Sequence, residues 1–171
     1  MTILEGIKNR RSIRNFEDTA LPEAAVDALI EAIRWAPSAG NLQSRKFFFV
    51  FHKEMKQALA RAALNQQFIA QAPLVAVACL DRRIAGRYGD RGVNLYAIQD
   101  AAASVMSMML EAHELGLGTV WVGAFNEFAV IEALDLPQEF RPVAIVPIGY
   151  PASVPKPLPR LSPEDAVTFV R

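Results

Sequence analysis

The 25 residues from Asn94 to Gly118, NLYAIQDAAASVMSMMLEAHELGLG, constrain this chain more than any other stretch. Their spacing predicts a helix, but its apolar residues occupy nearly every face, so it must be buried from several sides. Gly116 and Gly118 end it in the manner of a glycine C-cap.

The rest of the chain supplies the walls for that helix. In LPEAAVDALIEAIRWAP, residues 21–37, Val26, Leu29, Ile30 and Ile33 fall on one helical stripe, with Pro22 in the first turn and Pro37 as the stop. Ile3, Leu4 and Ile7 predict a short helix that ends near Arg10, and a further helix is expected over Met55–Leu64. KFFFVF at 46–51 and APLVAVACL at 72–80 read as buried strands, TVWVGAF at 119–125 as a third and RPVAIVPIGYP at 141–151 as a fourth. NEFAVIEALDL predicts a helix capped by Asn126. DRRIAGRYGDRG at 81–92 reads as an exposed connection with solvated charges, and the tail Pro151–Pro163, with five of the eleven prolines, as extended. Strands and helices alternate with no repeat, linker or low-complexity segment, so the expectation is one α+β domain over residues 1–171.

At 171 residues with 52% apolar and 21% charged residues, the chain is slightly more apolar than an average domain, which predicts burial against a second subunit. Lysines and arginines number 18 against 18 acids, so there is no broad basic field for nucleic acid or an anionic membrane. No apolar run reaches the roughly 18 residues of a membrane span, and the N-terminus lacks the pattern of a signal peptide; a cytoplasmic location is expected. The lone Cys79 excludes an intramolecular disulfide and a cysteine-rich metal cradle, and reads as a small core residue.

Several chemistries fail on their patterns. GLGTVWVG has Trp121 where a dinucleotide fingerprint needs its third glycine, and it leaves a helix for a strand, the reverse of the required order. There is no Walker A motif, no G-x-S-x-G elbow to select among Ser12, Ser38 and Ser104, and no ligand spacing for a metal. His113 is assigned to the C-terminal dipole of its helix and His52 to a turn or surface position. What stands out is KNRRSIRNF, residues 8–16: Arg10, Arg11 and Arg14 around Ser12, in a chain of zero formal charge. Guanidinium forks with a hydroxyl suit a phosphate monoester, and the tail PKPLPRLSP adds Lys156 and Arg160. On the cluster alone, ordinary solvated charges explain it as well.

Taken in order, RRSIRNF, APSAGNLQ, ELGLGTVWVGAF and VAIVPIGYP with its basic, proline-rich tail resemble the nitroreductase family of FMN-dependent oxidoreductases, in its short form, over nearly the whole chain. The resemblance implies a nitroreductase-like α+β fold: a central, mostly antiparallel sheet flanked by helices, in an intertwined homodimer with two FMN sites at the interface. It places Arg10, Ser12 and Arg160 on the FMN phosphate, with Lys156 beside them, Arg11 on the flavin through its main chain, and Arg14 at the pyrimidine edge. Pro37, Ser38, Ala39, Asn41 and Gln43 would come from the partner subunit. Trp121, Val122, Gly123 and Ala124 would lie against the ring, with Asn65 a weaker polar contact. The implied reaction is ping-pong hydride transfer from NAD(P)H through FMN to an electron-poor acceptor such as a nitroaromatic, quinone or conjugated carbonyl compound. Reduction by ferredoxin or another redox protein, and a flavin-binding module without NAD(P)H turnover, are the alternatives. Two departures bear on the pocket: Ser44-Arg45 where the family often has Pro-Trp, and Ser107 where many relatives carry Asn.

Overall fold

The computed structural model of the protein describes residues 2–171. Its centre is a helix, α6, over Ala97–Glu114, buried through Ala97, Asp100, Ala101, Ser104, Val105, Met108, Met109 and Ala112. The other helices are α1 (Ile3–Asn9), α2 (Glu23–Trp35), α3 (Lys53–Ala62), α4 (Phe68–Gln71), α5 (Ala85–Arg91), α7 (Glu127–Leu134) and α8 (Pro163–Ala166). The strands are β1 (Arg45–Val50), β2 (Leu74–Asp81), β3 (Gly118–Thr119) and β4 (Phe140–Gly149), in the order β1-β2-β4-β3. All three pairings are antiparallel, with a bulge at Ala78/Cys79 between β2 and β4.

Side-chain alternation along the strands divides the core into two layers. Val75, Val77 and Cys79 of β2, with Ile145 of β4, face Leu59, Ile69 and Val130 of α3, α4 and α7. Leu74, Ala76 and Ala78, with Ala144, Val146 and Ile148, face Leu29 and Ile33 of α2 and Val105, Met108 and Ala112 of α6. Both faces of β2 are therefore covered, which is why its sequence is continuously apolar rather than alternating. The alanines lie on the α6 face, and small residues there let this helix approach the sheet closely. Burial pushes the Cys79 thiol up to about 12, as expected of a core cysteine.

Several sequence expectations are altered by packing. β1 is an edge strand and only partly covered, and Phe51 lies beyond it, exposed. The third strand shrinks to Gly118–Thr119 plus a bridge between Val122 and Ile145. The expected loop at 81–92 is helical, with a 3-10 turn at Arg82–Ile84, α5, and a π turn at Gly92–Tyr96 that runs into α6. α1 lies against α6, but its apolar stripe is left largely open: Ile3 is 81% exposed, and Leu4 and Ile7 are also exposed. Trp35 at the end of α2 is 82% exposed, and the tail from Ala152 to Arg171 is exposed throughout.

α7 is fixed to β4 by a bidentate pair, in which Arg141 Nε and Nη2 each donate at 2.8 Å to the Glu127 carboxylate. The Arg141 hydrogen bonds lower the Glu127 pKa. A lowered carboxylate contributes stability above its unfolded pKa, and that contribution fades as pH falls through the lower folded value. Both groups are over a third exposed, so Glu127→Gln is expected to cost only about 0.5–1 kcal/mol at pH 7 in urea unfolding. The difference between the two proteins should begin to shrink as pH falls below the unfolded glutamate value of about 4.3 and vanish once Glu127 is protonated in the folded protein; a pH-independent difference would show that the pair does not stabilise through charge.

Candidate functional site

The arginine segment is built onto the C-terminal end of α6. α1 closes at Arg10, whose backbone N–H donates to Gly6. Arg11 Nη1 donates to the Lys8 and Arg10 carbonyls at 2.6 and 3.0 Å, so its side chain caps α1 rather than facing a ligand. The chain then runs beside β3: Ser12 forms a parallel bridge with Thr119, and the Ile13 N–H donates to the Thr119 carbonyl at 2.9 Å. A Cβ at Gly118 would lie 2.6 Å from Ile13 Cγ1 and 2.8 Å from its Cβ, so glycine is what permits this approach. Gly116, at φ 75°, supplies the left-handed turn that ends α6, while Gly118 serves packing rather than the cap expected of it.

The tail begins on the same ground. The Ala152 N–H donates to the Asn15 carbonyl at 3.0 Å, and Phe16 bridges Pro151. Ser12, Arg14 and Asn15 line a cavity of about 240 Å³ with Ser153–Pro155, and Arg10, Arg11 and His113 line one of about 150 Å³ that shares Val154. Neither cavity has a carboxylate in its lining. Arg10 is half-buried, and its pKa is lowered first by burial and then by the charges of Arg160 and Arg11. Its Nη1 is buried without a hydrogen-bond partner, as is His113 Nε2. The structure thus gathers Arg10, Ser12, Arg14 and Arg160; Arg160 otherwise donates only to its own Leu158 and Pro159 carbonyls. Lys156 is exposed on the same tail.

Beyond Arg14 the surface turns aromatic. The Arg14 guanidinium lies 6.0 Å from the centroid of Phe68. Asn65 is exposed in the turn before α4, at φ 59°, and the Asn126 N–H donates to the Ala62 carbonyl at 2.9 Å, tying that turn to the end of the 121–125 segment. Val122 is buried and exchanges two backbone hydrogen bonds with Ile145, while Trp121, Gly123 and Ala124 remain exposed. A Cβ at Gly123 would meet nothing within 4 Å, so the room beside it is not filled by this chain.

Loop 37–43 lies elsewhere. The Ala39 and Ser44 N–H groups donate to the two carboxylate oxygens of Asp100 at 2.9 and 3.4 Å, and the Gln43 N–H donates to Ser38 Oγ. Gly40, Asn41 and Gln43 are all left-handed, and Pro37 precedes the turn. Asp100 stands in the first turn of α6 and His113 in its last, about 1.5 Å per residue and so about 20 Å apart. Within one chain this loop and the arginine cavities therefore lie at opposite ends of α6. Of the two departures, Arg45 turns inward and donates to the carbonyls of Ile33, Arg34 and Ala36 at the end of α2, with Ser44 buried beside it. Ser107 Oγ donates to the Ala103 carbonyl within α6.

Two residues were missed by sequence reasoning. His113 lines the arginine cavity, and only its place one turn before the glycines hinted at this. Asp100, the anchor of the loop, was visible as a lone acid inside AIQDAAAS. Among the described residues, no group of three or more His, Cys, Asp or Glu side chains is placed to hold a metal ion.

The fold is an antiparallel α+β scaffold, and comparison with known proteins gives its family. The nitroreductase family model matches residues 7–150, and the chain belongs to the nitroreductase family. It is 32% identical to an FMN reductase [NAD(P)H] of Bacillus subtilis, over 96% of this chain and 72% of that protein. It is 33% identical to an NADH dehydrogenase of Thermus thermophilus, over 94% and 92%. Among solved structures, nitroreductase A from Vibrio parahaemolyticus superposes with a TM-score of 0.92 at 27% identity, over all of this chain and 77% of that one.

If Gly118 sets the position of Ser12, Gly118→Ala must displace the buried, β-branched Ile13. A loss of about 1–3 kcal/mol is expected, read from the urea midpoint. An unchanged midpoint would mean that segment 12–14 packs with slack.

Proposed function

We propose that the protein is an FMN-dependent NAD(P)H oxidoreductase that works as an intertwined homodimer. The observation that carries this reading is Arg10: partly desolvated, repelled by Arg160 and Arg11, with a buried Nη1 lacking a partner and no carboxylate lining its cavity. An anion relieves all of these at once, and a phosphate monoester suits a guanidinium fork, with the Ser12 hydroxyl in the adjoining cavity that shares Val154. Arg10, Ser12 and Arg160, with Lys156, would hold the FMN phosphate. Arg14 would hold positive charge at the pyrimidine edge, where the reduced ring is negative. Asn65 and the open backbone at Trp121–Ala124 would border the ring.

The second half-site comes from a second copy in this reading. Pro37, Ser38, Ala39, Asn41 and Gln43 stand at the opposite end of α6 from their own Arg10 and would border the flavin held by the other subunit. The chain leaves an edge strand, β1, beside a groove floored by Ile30, Ile33, Phe47 and Phe49. It also leaves an exposed tail whose last residues, VTFVR, have strand character, with Phe169 81% exposed. Together with exposed α1 and Trp35, these are surfaces for a partner of the same sequence.

Bound FMN would supply the redox chemistry, accepting hydride from NAD(P)H and passing electrons to an electron-poor nitroaromatic, quinone or conjugated carbonyl compound in alternate turns. The chain's part is to bind, orient and shield the ring. No helix among the described residues is long and apolar enough to cross a membrane, and a cytoplasmic location agrees with this reading.

The test is the anaerobic visible spectrum of the FMN-saturated protein, freed of excess flavin, before and after NAD(P)H. Retained flavin that bleaches is expected; retained flavin that stays oxidised favours ferredoxin or another donor, or a binding module, and no retained flavin overturns the reading. Arg10→Ala should weaken FMN binding by about 1.5–3 kcal/mol in a fluorescence titration while leaving riboflavin affinity nearly unchanged; equal losses for both would remove Arg10 from the phosphate. Arg14→Ala should lower the potential of the bound flavin, and a potentiometric titration without a shift would remove Arg14 from the ring edge.

A further inference from the structure

Residues 81–92, expected as a solvated connection, form a built surface together with the turn that continues to Tyr96. Arg83 is neutralised by the Asp81 carboxylate, which accepts from its Nε and Nη2, and Arg82 donates to the Gln138 carbonyl. Arg87 and Arg91 are different. Each guanidinium lies over a tyrosine ring, Arg87 at 5.9 Å from the centroid of Tyr88 and Arg91 at 5.4 Å from that of Tyr96. Arg91 Nε also donates to Tyr96 Oη at 3.0 Å. Among the described residues neither arginine forms an ion pair, and Asp90 between them pairs with neither.

The rings under these cations are fixed. Tyr88 and Tyr96 meet edge to face at 5.3 Å and pack on Leu80, Ile84 and Ala97. Gly89 takes a backbone conformation, φ 55° and ψ −147°, open in practice only to glycine, and a Cβ at Gly92 would lie 2.9 Å from Tyr88 Cβ. The platform also touches the loop already described, because any side chain at Gly40 would collide with Tyr88 Oη. Two unneutralised guanidiniums, pre-positioned by stacking, therefore stand beside loop 37–43.

We propose that Arg87 and Arg91 form a phosphate site for the adenosine end of the hydride donor and make the protein select a dinucleotide carrying a 2′-phosphate, NADPH, over NADH. The proposal rests on the reading that loop 37–43 borders the flavin. A donor that presents its nicotinamide to that ring must place its adenosine half on the neighbouring surface, and here that surface is cationic. The forks match a phosphate bidentately, and the absence of acid partners leaves the Arg87 fork and the Nη groups of Arg91 available, its Nε being held by Tyr96 Oη. Such a site needs no dinucleotide-binding domain, in keeping with the missing glycine fingerprint.

The probes are adenosine 2′,5′-bisphosphate, 5′-AMP and inorganic phosphate, titrated calorimetrically into the FMN-saturated protein. The bisphosphate should bind about ten- to a hundredfold tighter than 5′-AMP, with an affinity that falls as salt rises. R87A/R91A should abolish that difference and raise the KM for NADPH, but not for NADH, with kcat unchanged. Both side chains are exposed, and an unaltered circular dichroism spectrum and retained FMN absorbance verify the fold of the variant. Equal binding of bisphosphate and AMP, tighter binding of inorganic phosphate than of either, or a preference that survives R87A/R91A would overturn the site. Failure of the flavin reading is seen separately, as absence of retained FMN in the wild-type protein, whatever the nucleotides do.

Discussion

The close packing of α6 on the alanine face of the sheet is the constraint on which the rest depends. Ala76, Ala78 and Ala144 offer a shallow surface, and the helix sets Val105, Met108 and Ala112 into it, so that its position is fixed along its length. Each end of α6 then builds something different. At the first turn, Asp100 holds loop 37–43 through two backbone N–H groups. At the last, the Gly116 turn and the close approach at Gly118 bring the arginine segment against β3. One helix thus carries the loop at one end and the arginine segment at the other, and in the proposed assembly a second copy brings the two kinds of end together.

Electrostatics gives the arginine end its character. Burying part of a guanidinium beside two other cations is unfavourable unless something negative joins them. The rest of the chain pairs its partly buried charges: Glu127 with Arg141, and Arg45 with three helix-terminal carbonyls. Arg45 also keeps a buried Nη1 without a partner, but its Nη2 is satisfied, whereas the Arg10 guanidinium has no hydrogen bond among the described residues, which is why it directs the functional reading.

Much of the fold was legible in the sequence because burial on two sides leaves plain signals. The run LVAVACL gave β2, and the stripe through Leu29 and Ile33 gave α2. The residues Arg10, Ser12, Arg14 and Arg160 stand out in the sequence by type and spacing, and the chain brings them into one region, around two adjoining cavities and the start of the tail. Other features depend on tertiary neighbours. Residues 82–96 carry loop composition, yet their tyrosines pack on Leu80 and Ile84 and the segment becomes helical. Ser44-Arg45 read as a change at the pocket rim, but a basic side chain near unsatisfied helix carbonyls turns toward them. Ile3, Leu4 and Ile7 had the right period yet stay largely exposed, a distinction that periodicity does not carry.

The shared site is tested most directly by measuring mass and flavin together, with light scattering and visible absorbance on the FMN-saturated protein across a dilution series. A dimer with two FMN, which releases its flavin as dilution separates the protomers, is the expected result. A monomer that keeps one FMN with undiminished affinity would contradict it, because the loop anchored by Asp100 and the cavity at Arg10 would then have no need of each other.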